Sequence, residues 1–80
     1  MRFYFDIDDD HYSVKDENGV DLSNVDAARQ HASKVATSVA CDLFEAGGSK
    51  VVVTVRDDTR SRLALSVELS LKQFPDGPVG

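Results

Sequence analysis

The chain has 80 residues, with 9 basic and 14 acidic side chains and a net charge of −5. That length makes one domain with a small core, and that charge excludes a sequence-wide basic footprint for nucleic acid. Cys41 is the single cysteine, so no internal disulfide can form; no apolar run approaches the roughly 18 residues that would span a membrane.

The first element is a strand over Arg2 to Ile7, where Phe3, Phe5 and Ile7 alternate with Arg2, Tyr4 and Asp6. Asp8, Asp9 and Asp10 form a turn, since aspartate side chains bond nearby backbone. A second strand is expected from His11 to Lys15, with Tyr12 and Val14 on the face of Phe3, Phe5 and Ile7. Asp16-Glu17-Asn18-Gly19 is a second turn. Ser23 reads as the N-cap of a helix, with Asp26 three residues on and close to the positive end of the helix dipole. Val25, Ala28, Ala32, Val35, Ala36, Val39, Ala40 and Leu43 form its apolar stripe, and Gly47-Gly48 ends it. The helix is about 23 residues, or roughly 34 Å, long. Lys50 to Arg56 is a third strand, Asp57 to Ser61 a turn, and Arg62 to Leu71 a fourth strand, in which Leu63, Leu65, Val67 and Leu69 share one face.

This order predicts an α+β fold, ββαββ, with one long amphipathic helix packed on one face of a four-stranded, mainly antiparallel sheet. Residues 1–72 form the single domain. Pro75, Gly77 and Pro78 mark 73–80 as a flexible C-terminal tail. Four strands at about 4.8 Å spacing are wider than a helix of about 10 Å can cover. Either Phe3, Phe5 and Tyr12 fill the margins, or a second copy covers them.

The string resembles a family of small bacterial proteins that carries only a domain-of-unknown-function label. The resemblance covers roughly residues 2–70. It rests on the aromatic strand Arg2-Phe3-Tyr4-Phe5, the Asp-x-x-Gly turn at Asp16 to Gly19, the helix start at Leu22 with Asp26-Ala27-Ala28-Arg29, and a β-hairpin over Val51 to Leu69. The family often has a His after the aromatic pair and a Gly in the first turn, where this chain has Asp6 and an aspartate run. The resemblance implies a fold and transfers no catalytic residue.

The charge is uneven. Residues 1–26 hold eight acids against Arg2 and Lys15, a balance of −6, and the remainder carries +1. Asp6, Asp8 and Asp10 are spaced like the first three ligands of a calcium loop, with Glu17 at the place of its last glutamate. His11 stands where such a loop requires glycine, and the flanks read as strands, so a solvated acidic turn is the plainer reading. His11 and His31 belong to different elements, with no spacing that joins them as ligands or as an acid–base pair. Cys41 reads as a small, semi-buried helix residue with Asp42 and Glu45 beside it, which disfavour a thiolate. Arg56, Arg60 and Arg62 gather at the second hairpin, among Asp57 and Asp58 that neutralise them locally. They are also placed to meet the acidic first hairpin of another copy.

No catalytic, cofactor-binding or metal-binding set emerges, and no cofactor is expected. The expected function is a non-enzymatic protein-interaction or accessory module acting as a homodimer, with no nucleic-acid or membrane partner. The alternative is an antitoxin-like or regulatory protein that binds an unidentified protein partner. The acidic stretch interrupts any leader-like apolar segment, and a free cysteine suits a reducing compartment, so a cytoplasmic location is expected.

Overall fold

The computed structural model describes residues 1–77. It contains β1 (Arg2–Asp9), β2 (Ser13–Val14), β3 (Val20–Asp21), α1 (Val25–Glu45), β4 (Lys50–Arg56) and β5 (Ser61–Glu68). One helix packs on an antiparallel sheet of five strands, in the order β2-β1-β4-β5, with β3 also paired to β1. No helix among the described residues is long and apolar enough to cross a membrane.

The α+β architecture matches the expected one, with five strands in place of four. The difference lies in the segment before the helix. β1 runs on through Asp9, and the turn closes where Asp9 N–H donates to Tyr12 O at 2.9 Å. Only Ser13 and Val14 then pair back, against Asp8 and Ile7. The chain leaves the sheet at Lys15 and returns at Val20 and Asp21, which pair with Phe3 and Arg2. β2 and β3 are therefore two short ends of one interrupted edge strand. Val14 lies opposite Ile7 and so shares its face, and Tyr12 lies on the helix side near Val39 and Leu43, but the helix leaves this margin open and they stay 59 % and 73 % exposed.

The helix is 21 residues long. Its N-cap is Asn24, not Ser23: the Asn24 Oδ1 accepts from Ala27 N at 2.9 Å, with Asn24 backbone extended. Asparagine caps as well as serine does, and the Asn24 side chain takes the role read for Ser23. Asp26 lies in the first turn and pairs with Arg29 at 3.0 Å. At the other end Gly48 N–H donates to Leu43 O and Gly47 N–H to Phe44 O. These two bonds form a Schellman closure, with Gly47 at φ 93° where a side chain would be strained.

Ala28, Ala32, Ala36 and Ala40, four residues apart, are the buried line of the helix. They pack in the core with Phe3, Phe5, Val51, Val53 and Val55. The larger Val25, Val35, Val39 and Leu43 of the expected stripe lie on the flanks, partly buried. The helix lies mainly over β4 and β5 and touches β1 much less. Phe3 and Phe5 fill part of the margin this leaves. After Glu68, Leu69 N–H still bonds to Ser49 O at 2.8 Å, and the chain then runs outward without helix or strand. Leu71 and Phe74 on it are 84 % and 70 % exposed. The domain expected over 1–72 contains all six elements. Of the tail expected over 73–80, Pro78 and the two residues after it lie outside the described residues.

Replacing Asn24 with Ala is expected to lower unfolding free energy by about 1 kcal/mol. Ser23→Ala is expected to change it by less than about 0.5 kcal/mol. Urea denaturation of the two variants checks the assignment of the cap; equal losses would contradict it.

Candidate interaction surface

The side chains of chemically reactive type are each engaged structurally or stand apart. Asp6, Asp8 and Asp10 do not converge. Asp6 pairs with Arg56 Nε at 2.9 Å. Asp8 accepts from the Ser13 hydroxyl. Asp10 accepts from Ser49 N–H at 2.9 Å, the Ser49 hydroxyl at 3.0 Å and Lys50 N–H at 3.2 Å, which ties the first turn to the start of β4. Asp9, between them, holds the turn through His11 and Tyr12 N–H. Among the described residues no three His, Cys, Asp or Glu side chains gather as a metal site.

His11 lies in the turn, not on a strand, and is exposed. His31 sits on α1 against the edge of the Phe5 ring, with centroids 4.7 Å apart. Cys41 is exposed, not semi-buried, because it falls on the solvent side of the helix next to Ala40. The three arginines also separate. Arg56 binds Asp6, Arg62 binds Asp57 at 2.7 Å, and Arg60 is exposed. Part of the charge complementarity expected between copies is thus satisfied within one chain, where Arg56 meets the acidic first hairpin.

The residue that organises this region is Asp16, which the sequence marked only as the start of a turn. Its Oδ2 accepts from Phe5 N–H at 3.1 Å, so a side chain takes the place of the missing edge strand. Its Oδ1 accepts from Asn18 and Gly19 N–H, each at 3.1 Å. Its own N–H donates to Asp6 Oδ1 at 2.9 Å, and its carbonyl accepts from Arg56 Nη2 at 2.7 Å. The loop can close only with glycine at its end. Gly19 has φ 73°, and a Cβ there would come within 2.9 Å of the Phe3 carbonyl oxygen. This is the physical content of the Asp-x-x-Gly turn. Arg56 also stacks over Tyr4 at 4.5 Å, and the Tyr4 hydroxyl donates to Asp58 at 3.2 Å.

Burial opposes ionisation of Asp6, but the Arg56 hydrogen bond and the Asp16 N–H outweigh it and hold the carboxyl below its usual value. Burial likewise opposes ionisation of Asp16, and the Gly19, Phe5 and Asn18 N–H groups overcome it. Asp57 is held far below the usual range by the Thr59 hydroxyl, then by Arg62 and the Arg60 and Thr59 N–H groups. The result is a closed set of internal bonds.

Open surface lies elsewhere. Along the seam between α1 and β1, a groove of about 450 Å³ is lined by Ile7, Val14, Val20, His31 and Val35, among others. It marks the sheet margin the helix leaves uncovered. On the opposite side of the sheet, β5 has no strand beyond it among the described residues. It is eight residues long, half-buried through Leu63, Leu65 and Val67, and contains no proline. Apart from a bulge at Arg62 it is regular, and long, regular edges of this kind are templates for pairing with another chain.

Acid is expected to weaken the fold through Asp6, Asp16 and Asp57. Their folded-state pKa values lie below the ordinary 3.8, so the unfolded chain binds more protons near and below that value. Their contribution is complete above about pH 5 and is lost as pH falls through the folded values. Asp16→Asn is expected to cost about 1–3 kcal/mol at neutral pH, since an amide nitrogen cannot accept one set of its N–H bonds. It should also reduce the slope of stability against pH below about pH 4. Urea midpoints from pH 2 to 7 check both; an unchanged slope would contradict the role given to Asp16.

Comparison with known proteins adds the family. No curated protein and no solved structure matches the chain. A family model described as Domain of unknown function (DUF6894) matches residues 2–70, from the first strand through the end of the second hairpin. That span includes the Asp16–Gly19 loop, the helix and both central strands, and the chain belongs to this family.

Proposed function

We propose that the chain is a non-enzymatic protein-interaction module that acts as a homodimer. The observation that carries this reading is the contrast between the two edges of its sheet. The β2–β3 edge is broken by the Asp16 loop and offers only two residues at each end. The β5 edge is continuous over Ser61–Glu68 and is followed by exposed Leu69 and Leu71. Broken, charged edges resist pairing, and regular apolar ones invite it.

The distribution of reactive groups supports the same reading. His11 lies in the first turn and His31 on α1, Cys41 faces solvent, and the carboxylates at the first hairpin are occupied by internal donors. An acid, a base and a nucleophile do not meet around a shared space among the described residues. Half-buried leucines on an edge strand instead favour association, because a small domain gains apolar burial from a second subunit.

Sedimentation velocity of the whole chain at micromolar concentration is expected to give a dimer. A monomer up to about 100 µM, where even weak specific pairs populate measurably, would overturn the proposal. A chain that stays monomeric alone and forms a stoichiometric complex with a different protein would favour the antitoxin-like reading in its place.

A further inference from the structure

The pairing geometry can be read from the backbone, and this step rests on the self-association proposed above. Leu69 donates its N–H to Ser49 O. Antiparallel ladders alternate, so the odd-numbered residues of the regular part of β5 turn their backbone groups toward β4. Ala64, Ser66 and Glu68 turn theirs to the open edge. Leu63, Leu65 and Val67 at the same time place their side chains on the helix side of the sheet, where they pack against the core. A strand that extends the sheet must bond to the even-numbered residues and continue the apolar layer of the odd ones. A second copy of β5, turned by a two-fold axis, has both properties.

We propose that two copies join β5 to β5, antiparallel, with Leu65 at the two-fold axis. Ala64 then lies opposite Ser66 of the second copy and exchanges backbone hydrogen bonds with it. Leu63 lies opposite Val67 of the second copy, so every inner-face pair is apolar. Glu68 lies opposite Arg62 of the second copy, so the outer-face charges are of opposite sign. Glu68 makes no ion pair among the described residues of its own chain. Arg62 is the extra residue of a bulge, since Val55 pairs with Leu63 and Arg56 with Ser61. Its guanidinium already holds Asp57 at 2.7 Å, and its five donors are enough to take a second carboxylate.

Other registers that keep the apolar layer together fit less well. Moving one copy by two residues in one direction sets Glu68 opposite Ala64 and leaves its charge uncompensated. Moving it the other way sets Val67 opposite Ser61 and runs Glu68 past the start of β5.

Cross-linking tests the register without disturbing the core, because Ala64 and Ser66 are exposed. In a Cys41→Ser background, Ala64→Cys and Ser66→Cys chains are made separately, then mixed and oxidised. Residues directly opposite in a hydrogen-bonded pair are about 5.5 Å apart at Cα, within disulfide reach; residues displaced by two along the strand are beyond it. A disulfide-linked heterodimer is expected from the mixture, and no covalent dimer from either variant alone. Cross-linking of Ser66→Cys or Ala64→Cys by itself would overturn the register. A dimer by sedimentation that cross-links in none of the three samples would overturn β5 pairing while leaving self-association standing. A monomer would overturn both.

Discussion

The distance between the helix and the sheet is set by alanine. Ala28, Ala32, Ala36 and Ala40 form the line of closest approach, and each is buried. A methyl group is the smallest side chain that still excludes water, so the helix settles close against Val51, Val53 and Val55, which are fully buried beneath it. Every other size choice follows. Bulky residues on that line would lift the helix and open voids over the valines. They stand instead on the flanks, as Val35, Val39 and Leu43, and from the sheet side the rings of Phe3 and Phe5 fill the remaining space.

A helix seated this tightly covers little width. It lies over β4 and β5, and the β1 margin is left partly to aromatic packing and partly to open groove. The backbone at that margin still needs partners, because an unpaired amide near the core is costly. The chain supplies them with a side chain. Asp16 accepts the Phe5 N–H that a regular edge strand would have bonded, and Arg56 compensates the concentration of acid around Asp6 and Asp16. One consequence is an edge that is chemically satisfied and geometrically irregular. Among the described residues the opposite edge has only the bulge at Arg62.

Elements with several repeats of one period were legible in the sequence. The alternation of Phe3, Phe5 and Ile7, that of the β4 valines and that of Leu63, Leu65 and Val67 appear where the pattern placed them, but β5 ends at Glu68 and not at Leu71, and of the helical stripe only the alanines are buried. Val20–Asp21 did not show, because two residues carry no period. Tyr12 and Val14 take the face the alternation gave them, with Val14 opposite Ile7, but the hairpin does not continue its ladder and the helix leaves them exposed. Backbone pairing stops after Val14 because the Asp16 carboxylate substitutes for it, and alternation cannot register a side chain acting as backbone. A signal was present, since an Asp followed three residues later by Gly is what a carboxylate-capped loop with positive φ requires. The acidic run misled for a related reason. Regular spacing suggested shared ligation, whereas the partners of Asp6 and Asp10, at Arg56 and Ser49, are far away in sequence. The cap fell to Asn24 over Ser23 through a one-residue choice between equivalent side chains.

The unequal edges bear on how far association would run. A sheet with two regular edges can add copies at both and grow into a fibre. Here only β5 is regular, and pairing it with itself uses the open edge of both copies at once. The outward edges of the resulting ten-stranded sheet are then the two Asp16 loops, each already closed by its own carboxylate. Two-fold symmetry makes such an interface self-complementary and finite. In the proposed dimer the loop that interrupts the first hairpin would have a role beyond its local bonds: by spoiling one edge it would limit assembly through the other to two chains. The acidity of the first 26 residues would act in the same direction, since like-charged outer edges repel one another in solution.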